Sequence, residues 1–397
     1  MRSPTAASGG PALPPLPVAL AGALALATVM GIGRFAYTPL LPRMQDALGW
    51  SIAQAGDVAT ANFIGYLFGA LLAGRLASRA TRAHWLVGAL VLSAVTSAAG
   101  AVAWSFAGWL AIRFVAGAVA ALGVVLGTTL VLDHLAQSAR PGLVSLYFSG
   151  VGVGIVVSVV LIEAARHFGQ SVFAQWAVLG VTAGACVAWA LRVLLRLPNL
   201  RPTRPATAAA PRGLMTRELQ RVIAAYGLLG FGYVITATFL VAMARQLDSA
   251  VWLEPVSWIV VGATAAPSVP LVQGLAARYG SFPVMRAAFI VEAVGVLLAA
   301  YGDGATAVLV GAACLGATFL SITSLVLGAA RALGGAQADG VVGWMTAAFG
   351  FGQLIGPALA GRLATVDSSF GPPSTLAATA LVLAALLVPR GNLRRPV

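Results

Sequence analysis

No lysine occurs anywhere in this chain of 397 residues, so all 24 of its basic side chains are arginines. A Walker-type phosphate loop needs a lysine to reach the β- and γ-phosphates, and its absence argues against transport driven by ATP bound to this chain. Charge of either sign is scarce: 9% of residues are charged against 59% hydrophobic, and the mean hydropathy is +0.92. Soluble domains carry about 25% charged residues, so this composition excludes one. Cysteine is nearly absent, and Cys186 and Cys314, far apart in apolar segments, read as small buried hydrophobes. His84, His134 and His167 stand near expected helix ends without metal or haem spacing. No histidine, cysteine and carboxylate cluster and no nucleophile motif occurs, so the sequence points to no enzyme, metal or cofactor.

What is present is a series of long, uncharged apolar runs. A helix needs about 20 such residues to cross roughly 30 Å of hydrocarbon, and the chain has room for about twelve. Alternating ten-residue strands are missing, which favours helices over a barrel. The expected spans are about 16–42, 51–77, 83–103, 107–135, 142–165, 170–194, 219–245, 255–277, 283–301, 305–331, 339–365 and 374–390. A net charge of +13 invites a nucleic-acid partner, but the arginines fall in the gaps between apolar runs. That distribution is the positive-inside pattern of a protein in a lipid bilayer, and it argues against nucleic acid. The most basic gap, residues 195–218, is an Arg/Pro-rich linker assigned to the cytoplasm. Both termini then fall on the cytoplasmic side, residues 1–15 as a disordered tail and 391–397 as a second tail. No cleavable signal peptide is evident. Richness in Arg, Ala and Gly suggests a GC-rich bacterial genome, and so a multi-pass protein of the bacterial inner membrane.

The two halves of the chain repeat each other. Gly31 and Gly33 recur as Gly230 and Gly232, Leu76 and Arg79 as Leu275 and Arg278, and Gly117 as Gly316, all 199 residues on. Gly150 and Gly152 recur as Gly350 and Gly352, 200 residues on. A nearly constant shift over four segments marks a duplication, giving six-helix bundles at 16–194 and 219–390. Paired bundles with substrate bound between them near the midplane are one layout of secondary transporters.

Several segments resemble the major facilitator superfamily. Between spans two and three, Gly74-Arg75-Leu76-Ala77-Ser78-Arg79-Ala80-Thr81-Arg82 resembles its loop signature Gly-x-Leu-Ala-Asp-Arg-x-Gly-Arg, with Ser78 in place of the acid and Thr81 in place of the second glycine. In span four, Arg113-Phe114-Val115-Ala116-Gly117 resembles the Arg-x-x-x-Gly signature associated with coupling. Gly350-Phe351-Gly352-Gln353-Leu354-Ile355-Gly356-Pro357 in span eleven approaches the antiporter pattern, and GIGRFAYTPLLPRM followed by ANFIGYLFGALLAG is most similar to the YbfB/YjiJ branch. The resemblance implies an all-α fold of twelve transmembrane helices in two pseudo-symmetric bundles. It also implies alternating access, with spans 1, 4, 7 and 10 lining a cavity.

One charge stands inside the first apolar run. Arg34 is too deep to be a flanking residue, and a charge at bilayer depth costs about 2.5–3.5 kcal/mol on insertion scales. Counted from the helix ends, Arg34, Asp57 and Arg113 lie about 9–12 Å deep. Three readings stay open for the set: an Arg–Asp strut that fixes packing, a cavity that attracts an anion, and snorkelling to the outer interface. Tyr37 shares the Arg34 face; Tyr226 and Tyr233 form a matching row in span seven, where Tyr233 occupies the position equivalent to Arg34. Thr318 and Ser321 in span ten either bond a solute or satisfy their own helix. Asp57 is the first candidate for proton coupling and Glu292 in span nine the second, unless Glu292 is neutral and packed. Gly74, Arg75, Arg79 and Arg82 are candidate gate residues, with Asp133 as a replacement for the acid missing at Ser78. Gly350, Gly352 and Pro357 are expected to act mechanically, by close packing and bending.

The expected function is transport of a small organic solute, an anion by preference, as a proton-coupled monomer. Within transport, efflux of amphipathic compounds competes with nutrient uptake. The second class is a receptor or assembly module that has kept the fold without turnover.

Overall fold

Hydrocarbon offers no water to the backbone, so each apolar run must pair its own amides and carbonyls, which a helix does. The computed structural model describes residues 13–76, 79–103, 105–135, 140, 142–197, 216–247, 251–334, 338–367 and 369–391. Among these residues there is no strand. The helices are α1 (Pro15–Leu26), a π-helical stretch (Ala27–Ile32), α2 (Tyr37–Leu48), α3 (Ile52–Arg75), α4 (Arg79–Ala99), α5 (Phe106–Leu135) and α6 (Gly142–His167). Then follow α7 (Val172–Leu194), α8 (Arg217–Arg245), α9 (Leu253–Tyr279), α10 (Ser281–Tyr301), α11 (Gly304–Gly334), α12 (Ala338–Asp367) and α13 (Gly371–Leu387). The first three pieces together form span one, and each later helix is one further span, which gives the twelve expected. Ten described stretches, Pro15–Leu48 counted as one, are long and apolar enough to cross a membrane, and α13 is a shorter apolar helix. Ser78, the side chain of Arg79, and most of the expected linker and both tails lie outside the described residues.

Local chemistry sets the helix ends. Ser51 and Gln54 form a reciprocal capping box at the start of α3, while Ser171 and Thr216 cap α7 and α8. Gly49, at φ 69°, ends α2 in the left-handed conformation that a side chain disfavours. Close packing rests on glycine where α3 meets α5: a Cβ on Gly117 would strike the Asn62 carbonyl, and one on Gly65 the Phe114 carbonyl. Within its own half α12 packs on α8, and across the halves α12 packs on α3 and α6 packs on α9. There Gly56 faces the Pro357 carbonyl and Gly152 faces Gly262.

The duplication has a geometric signature. On a two-fold axis a residue meets its own symmetry mate. Thr38 Oγ1 donates to the Ala237 carbonyl at 2.7 Å, and Arg245 Nη1 pairs with Asp46 at 2.7 Å; in both cases the partners are 199 residues apart. The pseudo-axis therefore passes between α2 and α8. The two contacts lie eight residues, or about 12 Å, apart along each helix, so the axis runs along the helices rather than across them.

Candidate functional site

The site begins with a break in the first span. Pro39 has no N–H, which deprives the Phe35 carbonyl of its helical partner, and Gly31 and Gly33 lower the cost of leaving the α-conformation. Over residues 27–36 the backbone slips to wider bonds: Gly33 N–H donates to Thr28 O at 2.8 Å and Phe35 N–H to Met30 O at 2.9 Å, each five residues back. Single π-helical turns are frequent at functional sites. The sequence reading placed one unbroken helix here, although the two glycines and Pro39 carried the signal.

Arg113 on α5 holds the break together. It is 3% exposed, and its two terminal nitrogens each donate at 2.9 Å, one to Gly33 O and the other to Arg34 O. Its guanidinium also lies over the Tyr37 ring at 4.9 Å. Asn62 Nδ2 on α3 donates to the Arg113 carbonyl at 3.0 Å, leaving Asn62 Oδ1 buried and without a partner.

Arg34 is held differently. It is 4% exposed, and its guanidinium carbon lies 4.0 Å from the Tyr66 ring centroid, 4.9 Å from that of Phe63 and 5.6 Å from that of Phe35. These rings supply cation–π attraction, about 2 kcal/mol when desolvated. They accept no N–H bonds from the guanidinium edge. Arg34 Nε and Nη2 are buried with no acceptor, and these two atoms form the side-on edge that matches the two oxygens of a carboxylate. Among the described residues no carboxylate pairs with Arg34 or Arg113.

Both arginines face a small cavity between the halves, which Tyr37, Asn62, Phe63 and Tyr233 also line and, among the described residues, no acid does. Tyr233 stands opposite Arg34, its equivalent in the first half, and its hydroxyl accepts from Gln353 Nε2 of α12. A ladder of rings backs this wall. Tyr226 stacks on Phe349 at 4.4 Å, Phe349 on Tyr233 at 5.7 Å and Tyr233 on Phe319 at 5.9 Å. Phe319 then meets Phe35 edge-on at 5.9 Å.

The remaining expected residues separate into groups. Asp57, expected between Arg34 and Arg113, instead pairs with Arg362 of α12 at 2.8 Å, with side-chain exposures of 34% and 58%. It lies one turn and a half into α3, at the end of the bundle where ion pairs join the halves rather than at the cavity. The same end carries Asp46–Arg245–Glu254, at 2.7 and 3.0 Å, and Arg43–Glu163–Arg166, at 2.5 and 2.7 Å. Thr318 and Ser321 give their hydroxyls to Cys314 O at 2.5 Å and Ala317 O at 2.8 Å, and Tyr226 is a ladder ring; none of the three lines the cavity.

Glu292, on α10, is fully buried, and both its oxygens lack a hydrogen-bond partner. Thr318 lies beside it but spends its hydroxyl on its own helix. Gly74 and Arg75 are exposed at the opposite end of α3, where Arg82 Nε donates to Leu76 O at 2.8 Å; Asp133 is exposed near the end of α5. Gly352 packs on the α8 backbone and Gly350 on Leu67, while α12 remains helical through Pro357.

Comparison with known proteins agrees with this architecture. The crystal structure of a point mutant of the nucleoside transporter NupG superposes with a TM-score of 0.72 over 94% of this chain and 98% of that one, at 16% identity, a likeness of fold. The 4-hydroxybenzoate transporter PcaK of Pseudomonas putida is 33% identical over 116 residues, 29% of this chain and 26% of that protein. The chloramphenicol resistance protein of Streptomyces lividans is 30% identical over 232 residues, 57% of this chain and 56% of that one. The chain thus matches about a quarter and somewhat over half of the lengths of these two relatives. The MFS_4 family, described as "Uncharacterised MFS-type transporter YbfB", matches residues 26–389, and the chain belongs to this family of major facilitator transporters.

Proposed function

We propose that this transporter carries a small organic anion across the bacterial inner membrane by alternating access of the halves 16–194 and 219–390, coupled to protons. One observation carries the proposal: the buried, unmatched Nε–Nη2 edge of Arg34 at a cavity lined by two arginines and no acid. An unpaired buried charge costs several kcal/mol, and a bound carboxylate supplies both the countercharge and the two acceptors. The partial likeness to a transporter named for 4-hydroxybenzoate, itself an organic anion, supports the same reading. Arg34, Tyr37 and Tyr233 contact the solute. Arg113 positions Arg34 by clamping the broken helix.

Glu292 is the proton carrier in this scheme: it is a fully buried carboxyl within a span with no hydrogen-bond partner for either oxygen, and carboxyls so placed serve as proton relays in transporters. Asp57 with Arg362, and Asp46 with Arg245, latch the halves at the outer end. Gly74, Arg75, Arg79, Arg82 and Asp133 belong to the cytoplasmic gate, with both termini on that side. Gly350, Gly352 and Pro357 provide the sliding contacts of α12. The protein works as a monomer, one cavity per chain.

Reconstitution in vesicles tests this directly. Organic anions should exchange across the membrane, accumulate when a pH gradient is imposed, and cease to move in Arg34→Ala. Anion movement indifferent to Arg34→Ala would refute the assignment. Export of an uncharged amphipathic compound is the second reading, favoured by the match to a chloramphenicol resistance protein over 57% of this chain. It predicts chloramphenicol efflux that persists in Arg34→Ala.

A further inference from the structure

The unmatched polar atoms of the cavity are of two kinds. On one side are donors, the Nε–Nη2 edge of Arg34 and Nε of Arg113; on the other is an acceptor, Asn62 Oδ1, whose amide orientation is set by the bond from Nδ2 to the Arg113 carbonyl. All three residues line the same cavity, and Arg34 and Asn62 are 4% and 1% exposed. Buried polar groups without partners are costly, so a ligand that fits must answer each kind. The Arg34 edge calls for two acceptors about one carboxylate apart; Asn62 Oδ1 calls for a donor.

Four aromatic rings stand in the wall, Phe35, Tyr37, Phe63 and Tyr233, beside small and aliphatic residues such as Ala59, Val234 and Ala237. A bidentate carboxylate lies coplanar with the guanidinium it pairs with. In an aryl carboxylate the ring continues that plane, whereas a saturated carbon beside the carboxylate does not.

We infer that the transported anion is a small aromatic carboxylate that carries a hydrogen-bond donor, a hydroxyl or amino group, on its ring. This rests on the proposed anion transport and adds the chemistry of the rest of the molecule. The carboxylate takes Arg34 Nε and Nη2, the ring lies among Phe63, Tyr37 and Tyr233, and the ring substituent donates to Asn62 Oδ1. No bond is made or broken during transport.

The test is binding to the purified full chain of five compounds: a hydroxybenzoate, its methyl ether, benzoate, cyclohexanecarboxylate and phenol. Hydroxylated isomers are compared so that ring position is not assumed. Benzoate should bind about tenfold more tightly than cyclohexanecarboxylate, from ring contacts. The best hydroxybenzoate should bind up to about tenfold more tightly again, and its methyl ether should lose that gain. In Asn62→Leu the hydroxybenzoate should lose its advantage over benzoate, the two binding alike, with thermal unfolding of the purified variant as the separate check that it is folded. Phenol should bind weakly or not at all.

If cyclohexanecarboxylate equals benzoate, the aromatic assignment is overturned; if the ether equals the phenolic acid, the donor assignment is overturned. Anion transport itself survives either result. If no carboxylate binds and an uncharged solute binds regardless of Arg34→Lys, the anion reading falls with it.

Discussion

Arg34 and Arg113 carry the same charge at nearly the same burial, 4% and 3% exposed, yet their surroundings predict opposite consequences of removing them. Replacing Arg113 by Met leaves the carbonyls of Gly33 and Arg34 without their 2.9 Å donors. Each bond from a charged donor contributes about 1.5–3 kcal/mol, and a buried acceptor left unpaired costs about 1–3 kcal/mol. The break partly relaxes toward helix, and removing a buried cation whose own Nε has no acceptor offsets part of the cost, so a net loss of about 1–3 kcal/mol is expected. Replacing Arg34 by Met removes a buried cation whose Nε and Nη2 have no acceptor. The loss of cation–π contact with Tyr66, about 2 kcal/mol, is offset by relief of a desolvation penalty of several kcal/mol. Arg34→Met should therefore leave the empty protein equally stable, or more stable by about 1–3 kcal/mol, while abolishing anion binding. Thermal unfolding of the purified variants, each measured with and without saturating organic anion, separates the two. Wild type gains stability from the anion, Arg113→Met starts lower but still gains, and Arg34→Met starts level or higher and gains nothing. Stability shifts of the same sign in both variants would refute the distinction between a clamp and a binding group.

Glu292→Gln should keep anion exchange at equal pH on both sides but lose accumulation driven by a pH gradient; undiminished accumulation excludes Glu292 as the proton carrier. Arg362→Asp should shift the halves toward opening at the Asp57 end, by up to about fivefold in population because a largely exposed pair contributes at most about 1 kcal/mol. The swap Asp57→Arg with Arg362→Asp should restore it, read by labelling of a cysteine introduced in the cavity. Gly117→Ala should cost about 1–3 kcal/mol by driving α5 off the α3 backbone, measured as lowered thermal stability. Ser321→Ala should leave anion affinity unchanged, since its hydroxyl already bonds Ala317 O at 2.8 Å.

Much of the fold was legible because membrane insertion forces apolar length into the sequence, and because the repeat survives in glycines whose close contacts tolerate no side chain. Gly117 and Gly230 both press on neighbouring backbone atoms, which explains why such positions align between halves. The prominence of Arg34 was legible for the same reason: a charge inside an apolar run cannot hide in composition. Its partners were not. Depth along a helix places residues at a level but not on a face, so Asp57 was drawn toward the arginines when its face of α3 meets Arg362 of α12. The clamp made by Arg113 is invisible in the sequence, because carbonyls freed by a break in another helix leave no mark on its own segment. The hydroxyls of Thr318 and Ser321 fell to the local competition between solute and helix carbonyls, which the helix won.

Duplication supplies the scaffold, and divergence at paired positions supplies the chemistry. Under the shift of 199, Arg34 corresponds to Tyr233, and Glu292 corresponds to Ser93, whose buried hydroxyl oxygen has no partner and abuts Gly33 at the break. The unmatched cation thus belongs to the first half and the unmatched acid to the second, each standing where the other half has an uncharged residue. Two fixed groups within one rigid half could not sense a rocking motion. Groups divided between halves that meet along an axis at Thr38–Ala237 and Asp46–Arg245 change their separation and their access to water whenever the halves reorient. Under the proposed assignment, the anion at Arg34 and the proton at Glu292 favour the same orientation of the halves, so each raises the affinity for the other by the same free energy. Anion affinity should accordingly increase as pH falls through the titration of Glu292 in wild type and be flat over that range in Glu292→Gln. A pH slope that survives Glu292→Gln unchanged would place the coupling elsewhere and leave the division of charge between the halves without a transport role.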